Sequence, residues 1–181
     1  AHPGCRCAVR AVMPATPRGG SREGITGPIR QFKDDTQAHV WGNKNFKPWQ
    51  GKPGAKIGTR KARWVTKQEF NAIAKYRGQA YDPVNAFLRT GRVARVREKQ
   101  FAQEIIQGMD TVIAKQTVKE NVTVFRYIRS LPNDVKFVPG TTITDNGFVS
   151  TSLSQGFVQE RVGAGSVVQL EIRIPKGTHA L

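Results

Sequence analysis

The run Gly147-Phe148-Val149-Ser150-Thr151-Ser152-Leu153 has the pattern of a short strand with an unusual inner face. Alternation puts Phe148, Ser150 and Ser152 on one side and Val149 and Thr151 on the other. A plain core face would carry Val, Ile or Leu. Hydroxyls placed there need partners if buried, supplied by a carboxylate, the backbone or a bound ligand. About 25 residues upstream, Asn121–Arg129 reads as a second strand, in which Arg126 shares a face with Val122, Val124 and Ile128. An arginine that interrupts an apolar face calls for an anion.

The 181 residues have room for one domain with a real core, plus extensions. The net charge is +16 and unevenly placed: residues 1–67 hold 14 Lys/Arg against Glu23, Asp34 and Asp35. A basic segment poor in core residues favours nucleic acid, acidic protein surfaces or anionic membranes. No stretch is long and apolar enough to span a bilayer, and no secretory signal pattern opens the chain.

His2, Cys5 and Cys7 offer three metal-ligand types, one short of a closed zinc site; two free thiols in a tail is the other reading. Cys5 and Cys7 stand too close for an unstrained disulfide in a strand. Residues 8–62 are dense in Gly and Pro, which argues against regular elements and for a linker. Trp41, Phe46 and Trp49 interleave with Lys44 and Lys47, a pattern that either stacks on single-stranded nucleic acid or docks on the neighbouring domain.

The folded domain is expected to begin near Trp64. Thr66-Lys67-Gln68-Glu69 is a capping box leading into a helix with Phe70, Ile73 and Ala74 on one face. Asp82-Pro83 reads as a second helix start, with Val84, Phe87 and Leu88 as its stripe and Gly91 as its stop. A third helical region covers about 95–116, with Phe101, Ile105 and Met109 four apart, and with Gly108 as a point where it could split. Strands are expected at 121–128, 135–138, 141–144, 147–152 and 166–174, with a short helix over 154–162. Helices first and strands later make an α+β class.

The segments Val124-Phe125-Arg126-Tyr127, Gly147 to Ser152 and Val167–Ile174, with Tyr81-Asp82-Pro83-Val84-Asn85-Ala86-Phe87-Leu88-Arg89 before them, resemble the arginine-specific type of mono-ADP-ribosyltransferase toxin domain. The resemblance covers about residues 64–181. It implies a two-sheet β core with helices beside it, and transfer of ADP-ribose from NAD to a protein side chain, arginine in this type. It implies that Arg126 meets the NAD diphosphate and that Ser150 holds the main catalytic glutamate. It places Thr151 and Ser152 at the strand and nicotinamide pocket, Phe157 against the nicotinamide, Tyr81 by the nucleotide and Asn85 as a brace beside it. No metal is implied.

The family's Glu-x-Glu is not found after Ser152: Glu160 lies in the expected helix and Glu171 pairs with Arg173 as Glu-x-Arg. Its place is expected just past Leu181, on a chain cut short, and the fragment is then inactive. A degenerate domain that binds NAD without turnover is the alternative. The opening His-Pro-Gly-Cys-Arg-Cys resembles the end of a phage head morphogenesis (minor head protein) domain. The expected organisation is therefore 1–10 as the tail of such a module, 11–63 as a basic linker and 64–181 as the transferase domain. Its partners would be a target protein of a host or competitor cell, and phage capsid, portal or DNA through the basic segment. It would be secreted or virion-associated and act in the target-cell cytoplasm. A virion component that contacts DNA and has no enzymatic role remains a separate possibility.

Overall fold

The computed structural model describes residues 7–9 (backbone alone), 25–46, 64–93, 95–128, 145–156 and 168–181. The expected strands at 135–138 and 141–144, the helix over 154–162 beyond Gly156, and Trp49 and Phe157 lie outside them, as do His2 and Cys5. The class is α+β, as expected: helices packed beside small antiparallel sheets.

The helical layer begins at the expected capping box. The Thr66 hydroxyl accepts from the Glu69 amide at 3.2 Å, and the Glu69 carboxylate accepts from the Thr66 amide at 2.8 Å. Helix α2 runs over Lys67–Lys75. Glu69 is buried, and Lys115 at the far end of the layer meets it at 2.6 Å. Desolvation pushes the Glu69 carboxyl up, but the Lys115 ammonium and the Thr66 amide outweigh it and hold it below its ordinary value.

Asp82-Pro83 does not start a new helix. The backbone passes from α2 through a π-helical stretch, Tyr76–Ala80, into α3 over Tyr81–Thr90, and Ala80 is already helical at the junction. Pro83 lacks the amide that would reach back to Gln79 and crowds that carbonyl. The wider π turn that contains Gln79 accommodates both defects without breaking the helix. Gly91 ends α3 as expected, in the left-handed region at φ 67°.

Helix α4 is unbroken over Val96–Ile113. Gly108 does not split it. A Cβ there would lie 2.4 Å from the Ala72 Cβ, so the glycine lets α4 cross close to α2. Ala102, Ile105, Met109, Val112 and Ile113 form the buried stripe. Phe101 stands outside it, half exposed, with the Lys75 ammonium 5.2 Å from its ring centre.

The expected linker contains a helix. Helix α1 spans Asp35–Asn45, capped by Asp34, whose carboxylate accepts from the Gln37 amide at 2.8 Å. Its buried Trp41 packs between Phe32 and Phe46 and donates its indole N–H to Glu120 at 2.5 Å. Trp41 and Phe46 thus dock on the fold, the second of the two readings left open for them. The prolines and all the other glycines of the segment lie outside α1; Gly42 alone falls inside it, and is buried there.

Strand β2, Val122–Ile128, pairs antiparallel with β4, Val168–Ile174, with Arg126 opposite Leu170 and Val124 opposite Ile172. Strand β3, Val149–Thr151, pairs antiparallel with β1, Cys7–Val9, so Ala8 lies opposite Ser150. The two sheets meet where Phe125 and Ser152 exchange backbone hydrogen bonds at 2.7 and 2.8 Å.

Two cores result. One joins α2, the π stretch, α3 and α4, and includes Phe148; the other joins α1 to β2 and β4, and includes Leu153. The Ser-Thr-Ser run therefore hangs between two anchors, Phe148 in the helical core and Leu153 in the sheet core.

Candidate functional site

The segment that leads into β3 is held by the helices at three points. Asn85 on α3 accepts the Phe148 amide at 2.8 Å and donates to the Tyr76 hydroxyl at 3.0 Å. Tyr76 donates to the Phe148 carbonyl at 3.3 Å, and its ring meets Phe148 edge-on at 5.3 Å. Arg89, in the last turn of α3, grips Asp145 with two bonds, 2.8 and 2.9 Å. Asp145 also accepts from the Gly147 amide at 2.8 Å. A side chain at 147 would meet Asn85 Oδ1 at 3.0 Å and Arg89 Nη2 and Asp145 Oδ1 at 3.1 Å, so glycine fits where these groups converge.

Electrostatics tie Arg126 to this cluster. Burial lowers its guanidinium from the usual arginine range; Asp145 and Tyr76 oppose the shift and Arg89 adds to it. Its Nη1 is buried and has no hydrogen-bond partner among the described residues. A buried cationic donor left unsatisfied is costly, and an anionic ligand would satisfy it. The diphosphate of a dinucleotide has the charge and acceptor oxygens for this. Asp145 is held below the ordinary carboxylate value, first by the Arg89 bonds, with the Gly147 amide and the Arg126 charge also contributing against desolvation. Burial raises the Tyr76 phenol, against the hydrogen bonds of Asn85 and Ser150 and the charges of Arg126 and Arg89. It therefore stays protonated and serves as a relay between Asn85 and the start of β3.

The three hydroxyls differ. Ser150 is exposed and faces Tyr76. Thr151 and Ser152 are buried. The Ser152 hydroxyl accepts from the Ser154 amide at 3.1 Å, and the Ser154 hydroxyl bonds to the Asp35 carboxylate of α1.

The family model for the ADP-ribosyltransferase exoenzyme matches residues 38–181. The chain belongs to this family. The match starts inside α1, ahead of the boundary expected near Trp64. Comparison with curated proteins gives no match. Among solved structures, the fold of this exoenzyme-family chain is similar to that of an ADP-ribosylating toxin from a binary enterotoxin of C. perfringens, solved with NADH. That match has TM-score 0.57 and 20% identity over 82% of this chain and 37% of that one. It is also similar to an ADP-ribosyltransferase from Clostridium botulinum, with TM-score 0.54 and 17% identity over 83% of this chain and 76% of that one. A third is an ADP-ribosyltransferase toxin from Paenibacillus larvae, with TM-score 0.53 and 22% identity over 78% of this chain and 71% of that one.

Within this family member, the structure brings Arg126, Asn85 and Ser150 into one neighbourhood around Tyr76. Tyr81 is 45% exposed at the start of α3, and no hydrogen bond fixes its hydroxyl among the described residues. It lies four residues before Asn85, on the same helical side. Three participants were not singled out from the sequence: Tyr76, Asp145 and Arg89, the last quoted only as the end of a motif. Asp145-Asn146-Gly147 carries a turn signal that marks the first of its contacts, the bond to the Gly147 amide.

Among the described residues, no group of three or more His, Cys, Asp or Glu is placed to hold a metal ion. No helix among them is long and apolar enough to cross a membrane.

Proposed function

We propose that this chain binds NAD for protein mono-ADP-ribosylation, and that the acceptor side chain is an arginine. The carrying observation is the buried Nη1 of Arg126, without a hydrogen-bond partner among the described residues, on the strand whose Phe125 bonds to Ser152 of the Ser-Thr-Ser run. In this reading Arg126 holds the NAD diphosphate, and the rigid strand β2 fixes its direction. Asn85 and Tyr76 set the position of β3, so that Ser150 presents its hydroxyl to a catalytic glutamate. Thr151 and Ser152 shape the strand beside the nicotinamide, Tyr81 lies by the nucleotide, and Phe157 meets the nicotinamide.

The reaction breaks the glycosidic C–N bond of NAD, and nicotinamide leaves with the bonding electron pair. The ribose passes through an oxocarbenium-like state that a nearby carboxylate stabilises. A guanidine nitrogen of the acceptor then bonds to the ribose carbon, and its proton goes to a carboxylate base. Residues 1–181 hold no Glu-x-Glu after Ser152. The reading therefore assigns NAD binding to these residues and no turnover to them. It also keeps residues 1–10 as the end of a phage head module and delivery to a target cell by virion or secretion.

The test is calorimetric titration of this chain with NAD, ADP-ribose and nicotinamide. NAD and ADP-ribose should bind, and NAD should not be consumed. Failure of both to bind would remove the reading. The rival is a DNA-contacting basic segment, favoured by the charge of residues 1–67. It predicts duplex binding that falls steeply with salt and is indifferent to NAD.

A further inference from the structure

The corner between α3 and α4 carries charge that the site does not use. From Arg89 to Lys99 there are five Lys/Arg and a single acid, Glu98. Arg92, Arg95, Arg97 and Lys99 are all exposed. The salt bridges among the described residues include Arg89 with Asp145 but none of these four. Glu98 is engaged in part by the Arg95 amide at 3.2 Å. Arg95, Arg97 and Lys99 surround the first turn of α4, where the helix's own partial positive charge disfavours cations. Their placement works against the helix. Val96, between two of them, is 87% exposed, the most exposed large apolar side chain among the described residues.

We infer that this corner, around Arg92, Arg95, Val96 and Arg97, docks an acidic surface of the protein that receives ADP-ribose. The inference rests on the transferase reading above. Continuity with the site supports it, because Arg89 belongs to the same run and grips Asp145 in the cluster around Arg126. Charge complementarity selects the partner's sign. An exposed apolar residue flanked in sequence by arginines has the composition of a protein contact, apolar and cationic together. The alternatives fit less well. Single-stranded nucleic acid binding uses aromatic platforms, and Phe101, the partly exposed ring on α4, already has the Lys75 ammonium over it. A membrane needs a broad apolar face, and Val96 alone is too small.

The experiment compares two variants of the full chain with equal change in charge. One carries Arg92→Glu, Arg95→Glu and Arg97→Glu. The control carries Lys33→Glu, Lys67→Glu and Lys176→Glu, all exposed and outside the corner. Binding is measured to a poly-glutamate peptide, to phosphatidylserine vesicles and to a DNA duplex, with NAD affinity measured in parallel. The corner variant should lose about tenfold or more in peptide affinity, and the control clearly less. Both should bind NAD as the parent does. Equal losses in the two variants would reduce the effect to bulk charge and overturn the inference. So would a corner-specific loss for vesicles or DNA without one for the peptide. If the parent binds the peptide through the corner but does not bind NAD, the transferase reading fails and the surface stands as a plain acidic-protein site. If the Glu variant does not fold, Arg92→Gln, Arg95→Gln and Arg97→Gln replace it, against Lys33→Gln, Lys67→Gln and Lys176→Gln as the control, with the same criteria.

Discussion

Asn85 accepts the Phe148 amide at 2.8 Å across 63 residues of sequence, and its other end donates to Tyr76. One buried side chain thus sets where the Ser-Thr-Ser strand begins. Asn85→Ala leaves the Phe148 amide and the Tyr76 hydroxyl without that partner. The expected cost is about 1–3 kcal/mol in urea unfolding, the penalty for an orphaned buried donor. Asn85→Asp should be milder, because a carboxylate oxygen can still accept the amide.

Gly108 should tolerate no side chain. The 2.4 Å gap to the Ala72 Cβ is far below van der Waals contact, and both atoms sit on helices. Gly108→Ala therefore forces α2 and α4 apart, although alanine is the better helix former. We expect about 1–3 kcal/mol of destabilisation, and Ala72→Gly in the same chain should restore most of it. Additive losses would show that the two positions do not touch.

Asp145 gives the fold a pH dependence of definite sign. Its folded value is depressed, mainly by Arg89. Its contribution is complete above the ordinary aspartate value of about 3.9 and is lost as the pH falls through the lower folded value. Stability measured from pH 6 down to about pH 2 should fall less steeply in Asp145→Asn than in the parent. Identical slopes would mean that the Arg89 pair contributes nothing.

Much of this was legible in the residues because it is local. The Thr66–Glu69 box needs four consecutive positions, and the alternation of β2 and β4 needs seven each. Arg126 announced itself by breaking such an alternation. What stayed hidden is long-range or irregular. Tyr76 and Asn85 are nine apart, a spacing that no regular helical pattern highlights and that the π stretch brings into contact. Arg89 and Asp145 are 56 apart. Helix α1 was masked by the breakers around it, and its value lies in Trp41 reaching Glu120, 79 residues on. The pairing of Cys7–Val9 with Val149–Thr151 joins two distant parts of the described chain, and nothing in a tripeptide encodes that.

The most direct measurement is NAD affinity of the parent against Arg126→Met. Methionine keeps much of the bulk and removes the charge, so the variant should be as stable as the parent or more so, since a buried donor without a partner among the described residues disappears. Its affinity for NAD should drop about 10- to 100-fold, the worth of a charge-assisted hydrogen bond. A stable Arg126→Met protein that binds NAD as tightly as the parent would contradict the account.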